Sequence, residues 1–489
     1  MSEQLYDAQK NYRNLIGGLW KSSDSNRTIE IRSPLDDSLV GTVPAMTREE
    51  VDEAMEHSKR ARRLWANTPI HQRAEYFYRA ADILLAHTQE IAAVLMKEIL
   101  KDKASAVSEV ERSADFLRYT ADIGKSLEGT AVSGENFPGG SRGKLSYVTH
   151  VPLGTVLAIA PFNYPVNLSM SKIAPALIGG NTVVLKPPSQ GAISALYLAA
   201  VFAEAGLPAG VLNTVTGRGS EIGDYLVCHP DVNFINFTGS TEIGRHIAEI
   251  AGMVPMMLEL GGKDAAIVLD DCDLDFAAQN VVAGAFSYSG QRCTAVKRIL
   301  VLEHVADRFV QKVRERMEQL ICGNPEEEGV TVVPLINEQS VAFVQGLIDD
   351  ALERGATLVM GNQTQRQLVY PTLLDHVTES MRIAWEEPFG PVLPVIRVHS
   401  IEEAVELANR SEYGLQASVF TRDISKAFRI AEQLEVGTVQ INNKTERGPD
   451  HFPFLGVKSS GMGTQGVKYS IEAMMRHKAI VVNMDTPVE

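Results

Sequence analysis

The chain has 489 residues, 45% hydrophobic and 22% charged, enough for about three domain-sized units whose cores need no disulfide or metal staple. Its 46 Lys and Arg against 61 Asp and Glu leave a net charge of −15, a field that repels polyanions and excludes nucleic acid as a partner, although a few arginines still suffice to make one cleft basic. The first residues carry no basic stretch followed by an apolar core, and no apolar run approaches ~18 residues, so a cytoplasmic chain without a membrane partner is expected. Four cysteines, Cys228, Cys272, Cys293 and Cys322, form no C-x-x-C pair and read as reduced thiols, with no metal site expected.

Residues 48–66 and 70–99 place Ala, Leu and charged residues at helical spacing and are predicted as amphipathic helices. From about Lys144 the texture turns apolar and β-branched. It predicts a strand over 147–160, a Pro/Asn turn, a helix over 168–178 and a strand over 182–185. Helices over 193–205 and 219–228 then alternate with strands over 211–215 and 234–237. Such alternation implies parallel crossovers in a doubly wound sheet. A second series begins near Lys263, with strands over 265–269, 299–302 and 392–398 and helices over 305–320 and 341–354. The fold class expected is α/β, with two doubly wound, Rossmann-like lobes. Residues 124–147 and 473–488 fit neither lobe, and the extended run Ala479-Ile480-Val481-Val482 suits pairing between subunits or closing a lobe.

Gly290-Gln291-Arg292-Cys293 is the most informative tetrapeptide. A cysteine beside Arg, at the start of an expected helix over 294–298, has its thiolate favoured by the helix dipole and the neighbouring cation; a buried structural thiol fits the same residues. Leu258-Glu259-Leu260-Gly261-Gly262-Lys263 places a carboxylate in an apolar run, where desolvation raises its pKa toward that of a general base, unless it is a surface Glu on a strand edge. Pro161-Phe162-Asn163-Tyr164-Pro165 puts an amide in a rigid turn after a strand, either an oxyanion donor or a turn former. Lys186-Pro187-Pro188-Ser189 follows a strand, and Phe237-Thr238-Gly239-Ser240 leads to a helix N-terminus whose N–H groups suit pyrophosphate. The G-x-G-x-x-G fingerprint is absent; Gly217-Arg218-Gly219-Ser220-Glu221-Ile222-Gly223 is one residue too long and also fits a glycine-rich turn capped by Ser220.

Taken in order, these segments resemble the aldehyde dehydrogenase superfamily over nearly the whole chain. Among its branches the chain is most similar to the non-phosphorylating, NADP-dependent glyceraldehyde-3-phosphate dehydrogenases, through residues 160–167, Gly284-Ala285-Phe286, residues 289–298 and 439–445. The resemblance implies a cofactor-binding domain (1–123 and 148–259), a catalytic domain (260–472) and an oligomerisation element (124–147 and 473–489), in a dimer or tetramer. It implies Cys293 as nucleophile, Asn163 and the Cys293 N–H as oxyanion donors, and Glu259 as the residue that activates water on the thioester. It puts Lys186, Ser189, Gly219, Gly239, Ser240, Leu260, Glu387 and Phe389 on the cofactor. Relatives that prefer NAD commonly carry Glu where Ser189 stands, which repels a 2′-phosphate, so NADP is expected. Arg112, Tyr164, Arg292 and Arg447 match the residues that hold the phosphate of a small phosphorylated aldehyde. A dehydrogenase of another anionic aldehyde, such as a semialdehyde, is the alternative.

Overall fold

The computed structural model describes residues 2–484; the expected oligomerisation element beyond residue 484 lies outside them. Two open sheets carry the core. The first has six strands in the order Leu212–Thr214, Thr182–Lys186, Thr155–Ile159, Val232–Thr238, Met256–Glu259 and Gly461–Met462, all parallel except the last. The parallel strands are short Val, Ile and Leu runs buried on both faces, as helix-covered sheets require. Strand order reverses between Thr155–Ile159 and Val232–Thr238, so the loops after Ile159, Lys186, Thr238 and Glu259 converge at the carboxyl edge, where a crevice forms. The second sheet runs Thr357–Met360, Thr372–Asp375, Val392–Val398, Arg298–Leu302, Ala265–Val268, Gln416–Phe420 and Thr438–Ile441, antiparallel only at its first pair.

The helix Arg48–Asn67 starts at a capping box in which Thr47 and Glu50 satisfy each other's backbone N–H groups. The continuous helix expected over 70–99 is two, Ile70–Ala86 and Thr88–Glu98, because the chain turns at His87 and the Thr88 hydroxyl donates to the Leu85 carbonyl. The single strand expected over 147–160 is also two, Lys144–Pro152 and Thr155–Ile159. Between them Asn181 Oδ1 accepts from the N–H groups of Leu153 and Gly154, and Gly154 has φ +138° with no room for a Cβ beside Asn233. The chain thereby leaves one sheet and enters another. Lys144–Pro152 pairs with Thr130–Ser133 and with Met475–Asn483 in a separate antiparallel sheet. The expected helix over 219–228 is a π turn, Gly219–Gly223, running into Asp224–Val227, and Ser220 does not cap it. Among the described residues no helix is long and apolar enough to cross a membrane.

Candidate active site

Cys293 lies in a turn, not at a helix N-terminus. The helix expected over 294–298 does not form because its N–H groups go elsewhere: Val296 donates to Gly284 O, and Lys297 and Arg298 donate to Asp264 O as the strand Arg298–Leu302 begins. The dipole argument for an activated thiolate therefore fails. Burial pushes the Cys293 thiol well above its usual range, Glu259 adds to this, and Lys297 and Arg447 oppose it. Its Sγ is 3.6 Å from Glu259 Oε1.

Glu259 ends the strand Met256–Glu259 and is 3% exposed, which removes the surface reading. The expected upward pKa shift is also reversed. Burial raises it, but Arg447 Nη1 at 3.0 Å, Lys172 and the Thr238 hydroxyl at 3.1 Å together hold the carboxyl below its ordinary value. Lys172 sits in the wholly buried helix Asn167–Ile178, donates to Thr238 Oγ1 at 2.6 Å and is pushed by burial down to about 7. Sequence reasoning missed Lys172; the signal was a lone charged residue in a helix otherwise made of apolar and small polar residues. It also missed Lys297, 1% exposed, whose Nζ donates to the Cys293 carbonyl and lies 2.9 Å from Glu387 Oε1.

Asn163, 3% exposed, donates from Nδ2 to Gln291 O at 2.9 Å, which sets its amide beside the Gln291–Arg292 peptide, one peptide before Cys293. Among the described residues the Cys293 N–H has no protein acceptor.

The four expected phosphate ligands are not equivalent. Arg112, on the helix Lys103–Lys125, grips Asp450 with Nε at 2.6 Å and Nη2 at 2.7 Å, and Nη2 also reaches Arg447 O at 3.2 Å. Arg447 adds a 3.7 Å contact to Asp450. Two guanidinium groups from distant parts of the chain thus share one carboxylate, a partner that sequence reasoning missed. Tyr164 and Arg112 line one cavity of about 340 Å³, and Arg447 and Asp450 line another of about 300 Å³. Arg292, 8% exposed, donates to Gly284 O.

Of the expected cofactor residues, Lys186 ends a strand and Ser189 is exposed in the following loop. Lys186 Nζ reaches only the Pro187 carbonyl, has no carboxylate in ion-pair distance among the described residues, and is pushed by burial down to about 8. A buried ammonium without a counter-charge fits an anionic cofactor. Gly219 opens the π turn and is exposed, with open space where a Cβ would stand. Gly239 N donates to Glu259 O, Ser240 caps the helix Thr241–Ile250, and Leu260 is buried against Gly244. Glu387 accepts from Gly262 N at 3.2 Å and lies against Gly261, where a Cβ would force its carboxylate to move. Phe389 packs edge-on against Phe162, with ring centroids 5.9 Å apart.

Residues 20–480 match the aldehyde dehydrogenase family. The chain belongs to the aldehyde dehydrogenase family. It is 56% identical over 475 residues to the NADP-dependent glyceraldehyde-3-phosphate dehydrogenase of Streptococcus equinus, covering 97% of this chain and 99% of that one. It is 51% identical over 478 residues to the Triticum aestivum enzyme of the same name, covering 97% and 96%. Among solved structures, the Bacillus halodurans C-125 NADP-dependent glyceraldehyde-3-phosphate dehydrogenase complexed with NADP superimposes with a TM-score of 0.96 at 53% identity, over 97% of this chain and 99% of that one. The α/β architecture is that of this aldehyde dehydrogenase family.

Proposed function

We propose that the chain oxidises D-glyceraldehyde 3-phosphate to 3-phosphoglycerate with NADP as the hydride acceptor. The observation that carries the chemistry is the 3.6 Å approach of Cys293 Sγ to Glu259, with the Asn163 amide beside the same turn. The relatives' shared activity, at 49–56% identity over nearly the full chain, supports the substrate and the cofactor.

In this reading Cys293 first loses its thiol proton to solvent; the thiolate then adds to the aldehyde carbon, and the oxygen of the thiohemiacetal takes hydrogen bonds from Asn163 Nδ2 and the Cys293 N–H. Bound NADP would supply the acceptor for the hydride that leaves that carbon. Glu259, ionised above the acidic range, then takes a proton from the water that attacks the thioester, and Cys293 leaves as thiolate. The acid is released without transfer to phosphate or coenzyme A. Lys186 and Ser189 would hold the adenosine end of the cofactor; Gly219, Gly239, Ser240 and Leu260 would line its middle, and Glu387 and Phe389 its nicotinamide end. Arg112, Tyr164 and Arg447 would bind the substrate phosphate, with Arg292 nearest the nucleophile in sequence.

The domain division follows the same reading: residues 1–123 and 148–259 bind the cofactor, 260–472 carry the nucleophile, and 124–147 with 473–489 mediate assembly into a dimer or tetramer. Exposed Ile480, Val481 and Val482 on the strand Met475–Asn483 support the last part. Four free thiols and the lack of a membrane-crossing helix among the described residues suit the cytoplasm.

A spectrophotometric panel of phosphorylated, carboxylated and uncharged aldehydes with NADP and NAD tests the proposal. The expected result is the highest kcat/KM with D-glyceraldehyde 3-phosphate and NADP, abolished in Cys293→Ser. Higher efficiency with a semialdehyde would overturn the substrate assignment.

A further inference from the structure

Lys101 is wholly buried, and its ammonium pairs with the equally buried Glu109. It also lies 3.4 Å from the centroid of the Tyr164 ring and 5.0 Å from that of Tyr288. Glu109 Oε1 accepts from the N–H groups of Val166 and Asn167, at 2.9 and 3.0 Å, where the helix Asn167–Ile178 begins. One ion pair is therefore bonded to both ends of the segment that follows Asn163.

Its other side faces the loop that leads to the nucleophile. Tyr288 and Ser289 have φ of +51° and +56°, a conformation non-glycine residues rarely adopt. Tyr288 is held there by its hydroxyl, which donates to Ile99 O at 2.8 Å, and Ser289 by a hydroxyl bond to Val333 O at 2.7 Å. Five residues after Tyr288 comes Cys293. A cation in a dry site is attracted to both aromatic faces, so the ammonium draws the two loops onto itself from opposite segments.

We propose that Lys101 is a positioning residue that fixes the Asn163 loop against the Cys293 loop, and so sets the distance between the oxyanion donors and the nucleophile. The inference rests on the reading of Cys293 as nucleophile and Asn163 as oxyanion donor. It does not need the phosphate site, since the oxyanion forms with any aldehyde.

The test uses the full-length enzyme in Lys101→Met, Tyr164→Leu and the double variant, together with Lys101→Met/Glu109→Gln, which leaves no unpaired charge if Lys101→Met fails to fold. The readouts are the rate constant of the pre-steady-state burst of reduced cofactor, with a phosphorylated and an unphosphorylated aldehyde, and KM for NADP. Loss of the cation is expected to slow the burst about tenfold or more with both aldehydes, because small misplacements of catalytic groups carry large rate effects. KM for NADP stays within twofold. Lys101→Met has a smaller effect in the Tyr164→Leu background than in the wild type, since part of the cation's hold on the loop passes through that ring. A burst rate equal to that of the wild type, a loss confined to the phosphorylated aldehyde, or additive effects of the two substitutions would each overturn the proposal. A burst persisting in Cys293→Ser, with Lys101 intact, would instead refute the reading of the nucleophile.

Discussion

Replacing Glu259 by Gln separates two roles for this carboxylate in the free enzyme. If Glu259 deprotonates Cys293, its loss slows alkylation of the thiol; if its charge merely repels the thiolate, its loss speeds it. The Sγ–Oε1 separation of 3.6 Å corresponds to a repulsion of about 4–5 kcal/mol at an effective dielectric constant of ~20. Arg447, 3.0 Å from the same carboxylate, stays in place in the variant and does not enter the difference, so loss of the repulsion is worth more than about tenfold in thiolate population. The hydrogen bond in which the thiol donates to Glu259 also stabilises the protonated form. Glu259→Gln should therefore be alkylated by iodoacetamide at least about tenfold faster at pH 8 in the absence of cofactor. Because Cys228 is exposed, modification is followed by peptide mapping at Cys293. An unchanged or slower rate would refute the electrostatic argument.

Ser189→Glu should raise KM for NADP at least tenfold while leaving KM for NAD nearly unchanged, as read by initial rates with saturating aldehyde; equal effects on both would remove Ser189 from the 2′-phosphate. Asp450→Asn releases the charge that orients Arg112 and Arg447 and is expected to raise KM for the phosphorylated aldehyde several-fold, with an uncharged aldehyde unaffected. Lys172 has a folded pKa near 7 against about 10.4 for an unfolded lysine, so the unfolded chain binds the proton more strongly between these values. Its contribution to stability is present above about pH 10 and is lost as pH falls toward 7. Urea denaturation across pH 7–10 should accordingly show a shallower slope in Lys172→Met than in the wild type.

The alternation of strands and helices, and the residue types at Cys293, Glu259 and Asn163, were legible in the sequence, whereas the helix-favoured thiolate expected at Cys293 and the raised pKa expected at Glu259 were both reversed by the structure. Hydrophobic periodicity marked the strand–helix series over 147–237 and part of the second series, but not the helices Lys103–Lys125 and Leu274–Phe286 or the strand Gln416–Phe420; a turn-forming Pro-Phe-Asn-Tyr-Pro run marked the loop at the sheet's carboxyl edge. Breaks at His87 and Gly154 were not legible, since the first is settled by a hydroxyl bond within the helix line and the second by Asn181 and Asn233, which come from other strands' ends.

What the amino-acid sequence determines by itself is the α/β class, the resemblance that carries the fold and the chemical types gathered for the site. Tertiary structure alone decides their ionisation. Cys293 lacks a helix behind it because Asp264 and Gly284 claim the backbone N–H groups that a helix needs. Glu259 is held ionised, below its ordinary range rather than above it, because Arg447, 188 residues away along the chain, and Lys172 outweigh its burial. Arg112 and Arg447 become one unit through Asp450 and the Arg447 carbonyl. Electrostatic energy depends on distance in space, and the spacing of these charges along the chain carries no record of it.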